Sequence, residues 1–448
     1  MELMAETVVE NQMNFVQEDW EAKIRNRSAK LGVIGLGRVG LPLAIEMACE
    51  GFQVTGIDIN GSRAESVNAG VSYVVNVPNH VLLSAVTNRT LRATQSFAAL
   101  ESVDAISICV PTPLRKSKDP DLSYIVAAVE AVHNHLTPGK LIIIESTTYP
   151  GTTRKIVLPI LEKTGLKCGE DFFLAFCPER VNPDHQIYMT RNIPKIIGGL
   201  TARCTAMATL LYRQFVDSVI PMSSSESAEM VKLLENTFRS VNTALVNEMA
   251  RMCCQFGINV WEVIDAAKTK PFGFMPFYPG PGLGGHSIPV APDDLTWKAR
   301  MNGFEPRLIE MAAIVNSQMP EFTVSRVAYA LNQKKKSIKG SRLLALGVAY
   351  KRDVSDTRGS PALEVARALI EKGATVAYSD PYVPMVAIGG ETLASVSLTE
   401  QLLQSMDCVV ILTDHPAFDY PMIAAHSGVV VDCRNALKNF AGANVIPL

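Results

Sequence analysis

Residues 30–58 read KLGVIGLGRVGLPLAIEMACEGFQVTGID. A short apolar strand (LGVI) runs into Gly35-Leu36-Gly37-Arg38-Val39-Gly40, a G-x-G-x-x-G turn, and the turn opens a helix. Each glycine has its own task in such a turn. Gly35 permits the tight reversal, Gly37 lets a pyrophosphate approach the backbone, and Gly40 allows helix to pack closely on strand. The helix N-terminus, entered through Val39, offers amides and a positive dipole to phosphate. The next strand ends in Asp58, 18 residues beyond Gly40. That carboxylate accepts hydrogen bonds from a ribose 2′-OH and repels a 2′-phosphate, so the pattern predicts an NAD site rather than an NADP site. The glycines alone would also suit a tight turn serving some other ligand.

The same pattern returns far downstream. Residues 341–381 read strand (SRLLALGVAY), helix (SPALEVARALIEKG), strand (ATVAYSDP). Continuous apolar strands are expected at 105–110 (AISICV), 141–145 (LIIIE), 408–412 (CVVIL) and 429–432 (VVVD). Runs of this kind between helical patterns indicate parallel sheets covered on both faces. The expected fold is therefore α/β, with two doubly wound, Rossmann-like parallel-sheet domains joined by a central helical region. That region contains residues 226–256, with helical apolar spacing and neither Pro nor Gly. A helix of this length runs about 45 Å, long enough to bridge two domains and offer a face for self-association; two shorter helices are the alternative. The expected segments are 1–28 (N-terminal extension), 29–215 (dinucleotide domain), 216–325 (central, dimerising) and 326–448 (second α/β domain). This last domain lacks the glycine fingerprint. Its loop from Gly347 through Lys351 to Arg358 is rich in Lys, Arg and Asp. Such a loop suits a second phosphorylated ligand, because Arg clamps phosphate and Asp binds hydroxyls; a solvated charged loop would have the same composition.

Composition narrows the partners. Among 448 residues, 42 basic side chains face 44 acidic ones for a net charge of −2, so no basic excess points to nucleic acid. No apolar run approaches the roughly 18 residues of a membrane span, and residues 1–28 lack a secretory signal's apolar stretch. The nine cysteines are scattered without a C-x-x-C pair, so neither a zinc site nor a disulfide framework is expected, and a cytoplasmic setting is.

Several further segments stand in one order: CVPTPL, ESTTYPGTT, FCPERVNP, AEMVKLLENTFRSVNTALVNE, KPFGFMPFYPGPGLGGHSIPV, GVAYKRDVSDTRGSPAL and VVVDCRN. With GVIGLGRVGLPLA they make the chain resemble the UDP-glucose/GDP-mannose dehydrogenase family across residues 30–440. The segment KPFGF…FYPGPGLGGH is similar to the UDP-N-acetylglucosamine 6-dehydrogenase branch. The resemblance implies an NAD domain, a dimerising central helix, a UDP-binding domain, and oxidation of a sugar C6 alcohol to a carboxylate through a thiohemiacetal. It places Lys232 and Asn236, four apart on one helix face, at the developing oxyanion. It also implies that Glu179 assists proton transfer and hydrolysis and that Thr147 positions water or substrate. Thr112 and Thr147 are further expected at the cofactor. Gly282, Gly284 and Gly285 are expected to bring backbone against the nucleotide sugar, Phe277 and Tyr278 to line its pocket, and Lys351 and Arg358 to hold the uridine diphosphate. A homodimer or higher homo-oligomer is implied.

One turn departs from the family. Its Gly-His-Cys-Ile-Pro-x-Asp-Pro is here Gly285-His286-Ser287-Ile288-Pro289-Val290-Ala291-Pro292. Ser287 stands in the nucleophile's place and Ala291 in the carboxylate's. A thiol titrates near about 8.5 and reaches its thiolate readily, whereas a serine hydroxyl needs an adjacent base. His286 is adjacent in sequence only. Asp293 and Asp294 follow, either as replacements for the missing carboxylate or as helix caps. The readings left open are a deliberate Cys-to-Ser exchange, an oxidoreductase that stops at the aldehyde, a redox-neutral epimerase-like enzyme, and a silent binder of NAD and nucleotide sugar.

Overall fold

The computed structural model describes residues 19–113, 115, 120–180, 189–285, 290–440 and 444–448. The chain forms two compact units, dividing between Leu234 and Glu235.

The first unit holds strands β1 (Lys30–Ile34), β2 (Gln53–Ile57), β3 (Leu91–Thr94), β4 (Ala105–Ile108), β5 (Leu141–Ile144), β6 (Phe173–Phe176), β7 (Lys195–Gly199) and β8 (Val219–Met222). They form one sheet in the order β3-β2-β1-β4-β5-β6-β7-β8. Among the described residues, only the β6–β7 pair of this sheet is antiparallel. The first six strands follow the 3-2-1-4-5-6 order of dinucleotide domains; β7 and β8 extend it. Strands β4, β5 and β6 are buried at every residue. Alternate residues feed opposite faces, as the pleat requires: Leu141 and Ile143 enter one core, Ile142 and Ile144 the other. The expected runs 105–110 and 141–145 overshoot the strands, which stop at Ile108 and Ile144. The residues that follow, Cys109 and Glu145, belong to the loops at the sheet's carboxyl edge.

The second unit holds β9 (Arg342–Leu346), β10 (Thr375–Ser379), a hairpin of β11 (Met385–Ile388) and β12 (Glu391–Ala394), then β13 (Cys408–Ile411), β14 (Val430–Asp432) and β15 (Val445–Pro447). Its parallel sheet runs β10-β9-β13-β14-β15, so the strand order reverses between β9 and β13. Leu343 and Ala345 pack into one core and Leu344 and Leu346 into the other.

Helix α1 (Gly40–Cys49) follows the glycine turn, and α2 (Ala202–Tyr212) packs on the sheet beside β7. Helix α3 (Ser225–Phe256) is unbroken for 32 residues. Its start is capped by the Ser224 hydroxyl, which accepts from the Ser227 amide at 3.1 Å. Its end closes on Gly257 at φ +69°, with the Ile258 amide returning to the Cys253 carbonyl at 2.9 Å. Both are standard solutions for unpaired helix ends. No helix among the described residues is long and apolar enough to cross a membrane.

Candidate active site

The glycine turn sits at the carboxyl end of β1, beside the end of its neighbour β4. Gly35 has φ +90°, and a Cβ there would lie 2.6 Å from the Cys109 carbonyl oxygen. A Cβ on Gly40 would lie 1.9 Å from the Gly35 oxygen, whereas one on Gly37 would meet nothing within 4 Å. Two glycines are thus required by protein, and the third faces open space. Helix α1 begins with no side-chain cap and no acidic residue in its first turn, and Val39 occupies the cap position. Asp58 is buried, accepting from the Leu36 amide at 2.9 Å, the Asn60 amide at 2.9 Å and Arg63 Nη1 at 3.2 Å. An open cradle at Gly37, uncapped amides and a fixed acid at the end of β2 fit the pyrophosphate and ribose of NAD. Arg63, absent from the sequence reading, also lies over the Tyr73 ring, and the Tyr73 hydroxyl donates to the Leu36 carbonyl at 2.7 Å. Thr112 is half-buried on the loop after β4.

The loop after β5 carries Ser146, Thr147 and Thr148 in succession. Ser146 bonds both the amide and the carbonyl of Val110, and Thr148 donates to Thr152. Between them Thr147 is half-buried. Glu229 of α3 is fully buried and accepts from the Gly151 amide at 2.6 Å and from Thr153 at 2.9 and 2.7 Å, which fastens this loop to the helix.

Glu179 follows β6 and is buried beside Lys195 of β7, whose Nζ donates to Glu179 Oε2 at 3.0 Å and to Glu145 Oε2 at 2.9 Å. The other Glu145 oxygen accepts from Tyr212 of α2, and the Tyr212 hydroxyl lies 3.2 Å from Ser107 Oγ. Burial alone would lower the Lys195 ammonium, but Glu145 and Glu179 hold it well above its ordinary range. The sequence reading names Glu179 and does not name its structural neighbours Lys195, Glu145 and Tyr212.

Lys232 and Asn236 lie one turn apart on α3, both half-buried. In the second unit, Phe277 packs edge-on against Phe238 at 5.7 Å. Tyr278 stacks on Trp261 at 5.7 Å and donates to Asp265 at 2.9 Å. The glycines that follow make their close approach to protein. A Cβ on Gly282 or Gly284 would lie 2.8 Å from Pro361, and one on Gly285, at φ +99°, 2.9 Å from the Tyr350 ring. This brings the turn against the loop carrying Lys351, whose Nζ lies 5.6 Å from the Tyr350 ring, and Arg358, which pairs with Asp356 at 2.7 Å. Arg434, which follows β14, was also missed. It donates to the Leu412 carbonyl at 2.8 Å and fills the space beside Gly280, where a Cβ would lie 2.4 Å from it.

The second domain also ends its second strand in an acid, Asp380, but closes it off. Both oxygens are occupied by the amides of Val348, Ala349, Tyr382 and Val383 and by buried His415, whose Nε2 lies at 3.2 Å. His415 Nδ1 accepts from the Asp353 amide at 3.1 Å. Asp380 therefore organises the loop rather than receiving a ribose. Ser287, with His286, lies outside the described residues. Just beyond, Asp294 on α4 (Val290–Met301) is 2% exposed with Oδ1 unpartnered, and burial pushes its carboxyl up to about 7.

Comparison with known proteins matches three domains of one family along the chain. The NAD binding domain of the UDP-glucose/GDP-mannose dehydrogenase family matches residues 29–216, its central domain 226–318 and its UDP binding domain 344–439. The chain is 36% identical over 395 residues, 87% of each chain, to UDP-N-acetyl-D-mannosamine dehydrogenase of Methanococcus maripaludis. It is 36% identical over 359 residues, 80% of this chain and 84% of the other, to UDP-N-acetyl-D-glucosamine 6-dehydrogenase of Pseudomonas aeruginosa. The structure of the UDP-D-ManNAc dehydrogenase of Pyrococcus horikoshii superposes with a TM-score of 0.85 at 35% identity, covering 93% of this chain and 98% of that one. The chain is a member of the UDP-glucose/GDP-mannose dehydrogenase family of NAD-dependent nucleotide-sugar dehydrogenases.

Proposed function

We propose that the protein oxidises the C6 hydroxyl of a UDP-N-acetylhexosamine to the aldehyde and is impaired in the second oxidation to the uronate. What carries the reading is the conjunction of an open pyrophosphate cradle at Gly37 with serine at position 287 of a dehydrogenase turn. NAD, when bound, supplies the hydride acceptor. Lys232 and Asn236 stabilise the charge that develops on the sugar oxygen, an ammonium and an amide offering donors from one helix face. Thr147 orients substrate or water and Glu179 takes the proton. Phe277, Tyr278 and the glycines 282, 284 and 285 frame the sugar, and Lys351 and Arg358 hold the diphosphate. Asp294 takes over as the carboxyl lost at Ala291, which the buried, unpartnered oxygen supports. The cytoplasm is the expected setting.

The first hydride transfer needs no covalent nucleophile; the second, in this family, draws on one. One NADH per sugar with an aldehyde product is therefore expected in a single-turnover absorbance trace with UDP-N-acetylglucosamine, the sugar being identified by mass spectrometry. Ser287→Cys is expected to speed the second step by about 10²-fold or more, a typical worth of one strong transition-state interaction. Two NADH with a uronate from the parent chain would refute the impairment. A transient NADH signal with an isomerised sugar would favour the redox-neutral reading, and tight binding of both ligands without NADH a silent binder.

We also propose a homodimer built on α3. Met230, Leu234, Phe238, Leu245, Met252 and Phe256 are all exposed, Leu234 by 64% and Leu245 by 55%. At about 100° per residue their spacing places them in one sector of about 80°, an apolar stripe of the kind that marks an interface. The double variant Leu234→Arg/Leu245→Arg is expected to run as a monomer in light scattering while still binding NAD. An unchanged mass would remove α3 as the interface.

A further inference from the structure

We propose that Lys195, held by Glu145 and Tyr212, is the positioning residue that keeps Glu179 ionised and aimed. This rests on the reading of Glu179 as the proton-accepting carboxylate. The arrangement alternates in charge from the core outward: the Tyr212 hydroxyl, the Glu145 carboxylate, the Lys195 ammonium, the Glu179 carboxylate. Its parts come from α2, β7 and the loops after β5 and β6, so strand order, not sequence proximity, assembles it. Lys195 is 1% exposed and Glu145 is 1% exposed, whereas Glu179, at 9%, is the end nearest solvent.

Burying three charges is costly unless each finds a partner. Packing alone would be served as well by apolar side chains, as it is elsewhere on β7, where Ile196 and Ile197 are buried. The ammonium has a further consequence. A cation within hydrogen-bond distance of a carboxylate favours its ionised form, and the Lys195 Nζ lies 3.0 Å from Glu179 Oε2. Glu145 in turn keeps Lys195 charged, and the Tyr212 hydroxyl fixes which Glu145 oxygen faces the lysine. Among the described residues, Cys109 after β4, Cys177 after β6 and the nearby Arg180 also face this network. Burial raises both thiols, so neither contributes negative charge at neutral pH. Arg180 is directed to the Pro194 carbonyl at 2.7 Å.

The test is the pH profile of NADH formation in the full-length enzyme, with folding checked by circular dichroism. Lys195→Met is expected to lower kcat at neutral pH by about tenfold or more and to move the acid limb of kcat upward by about 1–3 units, with KM for the nucleotide sugar little changed. Lys195→Arg should recover most of the rate. Tyr212→Phe perturbs only the far end and keeps the proposal testable if Lys195→Met does not fold; it should shift the same limb in the same direction by less. Glu179→Gln separates the two claims. If Glu179→Gln retains the parent rate, Glu179 is not the acceptor and the underlying reading fails. If Glu179→Gln is inactive while folded Lys195→Met or Tyr212→Phe keeps the parent's acid limb, Glu179 works without Lys195 and the positioning inference is overturned.

Discussion

Gly40→Ala is expected to destabilise the first unit by about 3 kcal/mol or more, while Gly37→Ala, three residues earlier in the same turn, leaves stability intact and removes cofactor binding. The difference lies in what each new methyl meets. At Gly40 it would lie 1.9 Å from the Gly35 carbonyl oxygen and 3.2 Å from the Cys109 Cβ. Both neighbours belong to the turn and strand end that define the fold, so relief requires moving α1 off the sheet, at or beyond the upper end of the roughly 1–3 kcal/mol of ordinary overpacking. At Gly37 the methyl enters open space, and the less flexible unfolded chain even favours folding by about 0.4–1 kcal/mol. On the proposed reading, that open space is where the pyrophosphate approaches the amides. Losing two charge-assisted hydrogen bonds of about 1.5–3 kcal/mol each lowers NAD affinity by at least about 10²-fold. Urea unfolding and calorimetric titration of NAD measure the two effects separately. A Gly37→Ala variant that binds NAD like the parent would rule out the cradle; a Gly40→Ala variant as stable as the parent would rule out the close contact as the reason for that glycine.

The features legible in the sequence are those whose physics is local. The tight turn at Gly35, the acid at the end of β2 and the all-apolar runs of β4 and β5 each follow from neighbours within a few residues. The two sheets follow from them because parallel strands need covering helices. What stayed hidden depends on strand order. Glu145 reads as the last residue of a strand, Lys195 lies in a segment with no strand reading, and nothing in a separation of 50 residues shows that β5, β6 and β7 lie side by side. The strands β7 and β8 themselves were not read. Glycine has the converse ambiguity: a residue without a side chain signals close approach but not to what. Gly37 faces open space, whereas a Cβ on Gly282, Gly284 or Gly285 would press on Pro361 or Tyr350. The acids Asp58 and Asp380 occupy equivalent places after the second strand of each sheet, and only the structure shows that three donors meet Asp58 while five close off Asp380.

Asp294→Asn is expected to stabilise the protein at neutral pH, and by an amount that depends on pH in one direction only. Burial holds the folded-state carboxyl at about 7 against an ordinary value of 3.8. Below the ordinary value both states are protonated and the group contributes nothing. Between the two values the unfolded chain releases its proton and the folded chain does not, so stability falls as pH rises; above about 7 both are ionised and the loss is constant. A shift of about three units sets a ceiling of about 4 kcal/mol at 1.36 kcal/mol per unit. Asparagine cannot ionise, so the variant should melt with the parent near pH 4 and increasingly above it up to pH 7.5. A melting difference that is the same at both pH values would show that the carboxyl is not held neutral by the fold. The same variant tests the proposed role. A side chain that weakens the fold at working pH, with one oxygen unpartnered in a buried site, has the properties of a proton carrier, since a group titrating near the working pH transfers protons efficiently in both directions. If Asp294 replaces the carboxyl missing at Ala291, Asp294→Asn gains stability and loses kcat together; a gain in stability at full activity would make it an idle buried acid.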